Sequence, residues 1–167
     1  LGGTFISVWN TTRNGVSNNT SIQLPLQADG YYNFTVTGST LINSPVTITN
    51  YSNNTLEFSS SGIHQINITG DITGWKFEEP TINGPFSAPT WYTDNKKLLE
   101  IKEWGPLRLG NDGGYFTYVY YVDISATDKL HLQHTSNLSK MFKMPDPNGA
   151  GDTGGTEEIS ISGDINN

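Results

Sequence analysis

Residues Tyr31–Thr37 read Tyr-Tyr-Asn-Phe-Thr-Val-Thr, and this stretch decides the fold class. Tyr32, Phe34 and Val36 fall on one side of an extended chain, and Tyr31, Asn33 and Thr35 on the other. A period of two with β-branched and aromatic residues is the pattern of a half-buried strand. Asp29-Gly30 before it is a turn signal. Working outward, the same period recurs in residues 4–9 (TFISVW) and in residues 21–26, where Ile22, Leu24 and Leu26 share a face and Pro25 favours a sheet edge. It returns at Val46–Ile48 and in residues 56–58, 64–68 and 74–77, with turn residues such as Asn14-Gly15, Asn53-Asn54 and Ser61-Gly62 between them. Short strands at intervals of roughly ten residues predict a β-sandwich over residues 1–79.

Beyond it, residues 80–97 begin with PTINGPFSAP and read as a linker or loop. Residues 98–104 (LLEIKEW) alternate once more. Short apolar pieces separated by Asn, Asp and Gly then fill the remainder of 98–144, the look of stacked, solenoid-like turns. Residues 145–167 form a Gly-rich leash ending in a period-two segment, Glu158, Ile159, Ser160, Ile161 and Ser162. That segment is a strand able to fold back on its own sheet or to add to the edge of another copy. The expected class is all-β: a sandwich, a short incomplete repeat-like β segment, and a terminal strand on its leash.

Composition limits the function. The 167 residues are 34% hydrophobic and 15% charged, with 18 Gly, and the helix-forming runs of Ala, Leu, Glu and Lys are missing. A net charge of −7 with nine scattered Lys and Arg argues against nucleic-acid binding, which needs basic patches to displace counterions. No stretch approaches a transmembrane span. The absence of cysteine removes disulfides, thiol nucleophiles and zinc-thiolate sites. A chain beginning at Leu reads as cut or processed.

The runs GIHQINITGDITGWKF (residues 62–77) and KLLEIKEWGPLRLGNDGGYF (residues 97–116) resemble the head region of BspA-like surface proteins. In that family a PKD-like, immunoglobulin-type sandwich precedes leucine-rich-type repeats. The join is carried here by Trp104-Gly105, by Leu107 and Leu109, and by Gly114, Tyr115 and Phe116. Residues 124–130 and 136–142 look like the first repeat, with its closing Met141-Phe142 pair. The resemblance implies adhesion or surface display on bacteria, archaea or marine tailed phages. It carries no active site, cofactor or metal with it.

Candidate chemistry is sparse. His131 and His134 have an H-x-x-H spacing that would need a helix and a third ligand such as Asp128 to hold a metal. Paired carboxylates suited to glycoside hydrolysis are Glu78 with Glu79, Glu100 with Glu103 on opposite faces of a strand, and Glu157 with Glu158. Residues 111–113 and 152–155 offer oxygens to Ca²⁺ without the alternating acidic spacing of a recognised loop. Eight sequons, at Asn10, Asn18, Asn19, Asn33, Asn50, Asn53, Asn67 and Asn137, are a product of Asn, Ser and Thr content. The denser signal is aromatic. Trp91, Tyr92, Tyr115, Phe116, Tyr118, Tyr120 and Tyr121 suit a subunit interface, a sugar platform or the packing of a junction. Together these features predict a non-catalytic structural protein of an extracellular or virion surface assembly, self-associating or bound to other subunits. The rival reading is an adhesin or carbohydrate-binding module for a cell-surface glycan.

Overall fold

A computed structural model describes residues 2–133 and 135–145. The chain is all-β, with no helix among the described residues. Nine strands run β1 Phe5–Asn10, β2 Ser21–Gln23, β3 Tyr31–Thr37, β4 Val46–Ile48, β5 Thr55–Glu57, β6 Ile63–Thr73, β7 Leu98–Glu103, β8 Leu107–Arg108 and β9 Asp123–Ile124. The larger sheet has the order β4-β3-β6-β1-β7-β9, with β8 pairing the end of β6; β2 and β5 form a separate two-stranded sheet.

Period-two burial is met strand by strand. β1 buries Phe5, Ser7 and Trp9, β3 buries Tyr32, Phe34 and Val36, and β6 buries His64, Ile66, Ile68 and Ile72. Registers bring these together, with Trp9 opposite His64 and Val36 opposite Ile68. The β2–β5 sheet adds Ile22 and Leu56 to the same cluster. Within it the Trp9 indole donates to Ser7 Oγ at 2.8 Å, whereas the Trp75 indole N–H is buried with no hydrogen-bond partner among the described residues.

Two strand expectations change. β6 runs past residue 68, where the alternation in sequence ends, to Thr73, because Gly70 pairs with Phe34 inside the β3 ladder. Residues 74–77 are extended but form no strand. Their amides reach three separate segments: Gly74 and Trp75 bond to Arg108 and Leu109, Lys76 to Pro25, and Phe77 to Tyr115.

The segment 98–144 does not stand apart from the sandwich. β7 lies antiparallel against the second edge of β1. One buried cluster runs from Phe5 to Phe142 and includes Leu98, Ile101, Trp104, Leu107 and Leu109. The end of the hairpin pattern near residue 79 is therefore not the end of the core. Trp104-Gly105 forms the corner where the chain leaves β7. Gly105 has φ +48°, and a Cβ there would overlap the Thr4 carbonyl, so only glycine lets β1 sit this close.

After this corner β8 pairs parallel with β6, and three further parallel pairs share one step. Glu100 pairs Asp123, Ile101 pairs Ile124 and Arg108 pairs His131, each partner 23 residues further on. Leu107 and Leu109 have buried counterparts in Leu130 and Leu132 at the same spacing. A second ladder, from the amides of Gly114, Phe116 and Tyr118 to the carbonyls of Ser139, Met141 and Lys143, steps by 25. Phe116 and Phe142 stack across it, with ring centroids 5.3 Å apart. This is one coil laid on another, the geometry of a solenoid turn.

Candidate interaction surface

The seven aromatic candidates divide between core and surface. Tyr115, Phe116 and Tyr118 are buried. They lie in a tight turn rather than a strand, so Tyr115 through Val119 are all buried in succession and the alternation expected of a strand is lost. The Phe116 ring meets Phe77, Trp104 and Phe142. The Tyr115 hydroxyl lies between the carbonyls of Gly110 at 2.8 Å and Asn137 at 2.5 Å. Tyr118 donates to Glu79 Oε1 at 3.3 Å, and that carboxylate's other oxygen pairs with Lys143 at 2.9 Å. Burial pushes both phenols up in pKa, and for Tyr118 the Glu79 charge adds to the rise. These three residues join the sandwich to the stacked coil.

Trp91, Tyr92, Tyr120 and Tyr121 remain at the surface, and Trp91, Tyr120 and Tyr121 are drawn together. Trp91 meets Tyr120 edge-on at 6.1 Å and 75°, and Tyr120 meets Tyr121 at 6.2 Å and 49°. Two cations sit on these rings: Arg13 lies 4.0 Å over Tyr121, and Lys96 lies 4.9 Å over Trp91. Rings at such different angles offer no common plane for a row of sugars, and each cation covers a face that a pyranose would use.

Next to them residues 81–90 project from the body, every one exposed. Thr81 and Thr90 exchange two backbone bonds of 3.0 and 2.9 Å at the base, and Thr81 Oγ1 meets the Tyr92 hydroxyl at 2.7 Å. Below, buried Asn95 donates to the Glu78 carbonyl at 2.8 Å and to the Thr117 carbonyl at 2.7 Å. What reads in sequence as a linker or loop is a stapled finger. Phe86 at its tip is 100% exposed.

The other candidates resolve into structural roles. Asp128 caps the Trp104-Gly105 corner, each carboxylate oxygen accepting one backbone N–H at 2.9 Å. His131 bridges to Arg108, and His134 lies outside the described residues. Glu100 and Glu103 share a face, contrary to the simple alternation. Bulges in β7 place them opposite Val8 and Ile6, which are two residues apart on β1. Asn111 Oδ1 accepts from Ser136 N and Oγ at 2.9 and 3.0 Å. No group of three or more His, Cys, Asp or Glu able to hold a metal occurs among the described residues. Residues 152–155, Glu157, and the terminal strand Glu158, Ile159, Ser160, Ile161 and Ser162 lie outside them.

A buried polar hub was not anticipated from sequence. Lys97 Nζ donates to Ser17 O, Ser17 Oγ, Asn18 O and Ser21 O at 2.7–3.2 Å. Asp94 accepts from the amides of Val16, Ser17 and Gln23 and from Ser17 Oγ. Burial lowers the Lys97 pKa, and the Asp94 charge works against that fall. A Lys–Ser contact of 2.7 Å evokes a general base, but this ammonium faces four oxygen acceptors, which holds its proton in place. The hub ties residues 16–23 to the base of β7. A Lys-Lys pair in a polar stretch carries no signal that one of its members is buried.

No protein family, curated protein or solved structure matches the chain.

Proposed function

We propose that the protein is a non-catalytic building block of an extracellular or virion surface assembly, displaying its sandwich outward and stacking through its coiled end. The observation that carries this reading is the constant 23-residue parallel step from β7 to β9 and from Arg108 to His131. Stacked coils bury a continuous core only when neighbours cover both faces. In the sequence, the apolar positions of the coil are not repeated one further step on. At one further step Ile124, Leu130 and Leu132 would be followed by Pro147, Thr153 and Gly155. Among the described residues β9 ends the sheet order, and Glu158–Ser162 of a second copy has the sequence alternation to add to that edge. The same step supports the resemblance to a BspA-like head followed by leucine-rich-type repeats.

The test is the solution mass by light scattering coupled to size exclusion. A species well above the 18.3 kDa of one chain, returning to monomer when residues 158–162 are deleted, is expected. A monomer unaffected by that deletion overturns the strand-exchange reading.

One observation favours the adhesin reading as a second. A concavity of about 220 Å³ is lined by Tyr31, Asp71, Thr73, Pro106 and Arg108. Arg108 Nε is buried with no hydrogen-bond partner among the described residues. An exposed ring beside a carboxylate and a guanidinium is the chemistry that holds a saccharide. Glycan-array binding lost on Tyr31→Ala would support it, and an array without hits would remove it.

A further inference from the structure

We propose that the finger of residues 81–90 is a shallow anchor for a zwitterionic lipid surface, a role independent of the assembly reading. Residues 80–93 contain no charged side chain, between Glu79 and Asp94. Phe86 at the tip is fully exposed, and Ile82 on the flank is more than half exposed. Pro85 and Pro89 stiffen the finger, and the Thr81–Thr90 staple fixes its base. Its ordering entropy is spent in folding, so presentation of the tip costs little at the moment of contact.

The surroundings of the base match the polar layer of a bilayer. Tyr92 bonds to the base at Thr81, and Trp91, one residue beyond the staple, leads through Tyr120 to Tyr121; each of these side chains has an apolar body and a polar tip suited to headgroup depth. Arg13 and Lys96 lie on those rings, at the level where lipid phosphates would meet them. The lengths agree. Five residues of extended chain reach roughly 16 Å, and each headgroup layer is about 6 Å deep. Phe86 can therefore pass the headgroups while Ile82, next to the base, and the aromatics stay among them. A protein partner would have to match three rings set at differing angles; a fluid interface conforms to them. With a net charge of −7 the protein is repelled by anionic bilayers, so a neutral headgroup is the favoured surface.

Three of the four tryptophans, Trp9, Trp75 and Trp104, are fully buried, so a change in emission on adding lipid reports Trp91. The experiment mixes the full chain with phosphatidylcholine vesicles and reads both flotation and tryptophan emission. The expected result is co-flotation with a blue shift, and weaker flotation as anionic lipid replaces phosphatidylcholine. Phe86→Asp, a change at a fully exposed position that leaves the fold intact, should lower partitioning by roughly tenfold or more. Trp91→Phe should remove the emission response and keep flotation. Failure of the wild type to float at millimolar lipid overturns the proposal, as does equal flotation of Phe86→Asp. Phe86-dependent self-association without flotation also overturns it, and assigns the finger to a protein partner.

Discussion

Lys97 and Asp94 show how much a buried pair of charged residues can organise. Between them they satisfy the amides of Val16, Ser17 and Gln23 and the carbonyls of Ser17, Asn18 and Ser21, and so fix the loop before β2. Lys97→Met would strand those carbonyls and leave Asp94 without its nearby cation. The expected loss is about 3 kcal/mol, against less than about 0.5 kcal/mol for Lys96→Met at the surface; urea denaturation compares the two. Tyr32 makes a second such point. Its hydroxyl accepts from Gln27 N at 2.7 Å and donates to the Gly74 carbonyl at 2.8 Å. Burial raises its pKa from 10.0 to about 12, against the lowering effect of the Gln27 bond. Below pH 10 both folded and unfolded chains keep the proton and the contribution is complete. Between pH 10 and 12 the unfolded chain ionises first, so about 2.5 kcal/mol is lost as pH rises. Lys97 acts in the opposite sense: its lowered pKa means the unfolded chain holds its proton longer, a gain in stability as pH climbs toward 10.5. Comparing wild type with Tyr32→Phe at pH 9 and 11 isolates the tyrosine, and the mutant should show the smaller fall in urea midpoint.

At the scale of elements, what could be read from sequence followed from whether one rule governed a segment. β3 and β4 match the alternation residue for residue, because each has one face in the core and one in water. In β7 the rule fails. Leu98 and Ile101 are both buried although three residues apart, because the bulges insert extra residues between register positions. The turn holding Tyr115, Phe116 and Tyr118 was similarly opaque. Its burial comes from the coil stacked on it, a long-range contact with no local mark. The finger reads in sequence only as a linker or loop for a different reason: Pro, Gly and Ser mark a turn, and what staples it is the Thr81–Thr90 pair. The Gly105 corner allows a direct test. Gly105→Ala should cost at least about 2 kcal/mol, from its positive φ and from contact with β1. Gly2→Ala, in open space, should cost almost nothing. Thermal denaturation of both variants separates these outcomes.

For the whole molecule, the all-β class was legible from the turn spacing, whereas the sharing of one core was not. The sequence changes character near residue 79, but Leu98, Ile101, Trp104, Leu107 and Leu109 fill space under strands that precede it. Five such side chains at about 2 kcal/mol each amount to roughly the full stability of an ordinary domain. A fragment of residues 1–79 should therefore show no cooperative unfolding transition by circular dichroism, while residues 1–145 should show one. A sharp transition in the shorter fragment would mean that the sandwich closes without β7.

β1 is near the beginning of the chain yet lies in the middle of the larger sheet, held antiparallel by β6 on one side and β7 on the other. A tensile load applied along this strand cannot unzip it bond by bond from an edge. It must shear two ladders at once, so rupture requires many hydrogen bonds to fail together. Held against flow by this end, the protein would act as a stiff mechanical link, and the first structure to yield would lie elsewhere, at the two-residue pairing of β9 with β7.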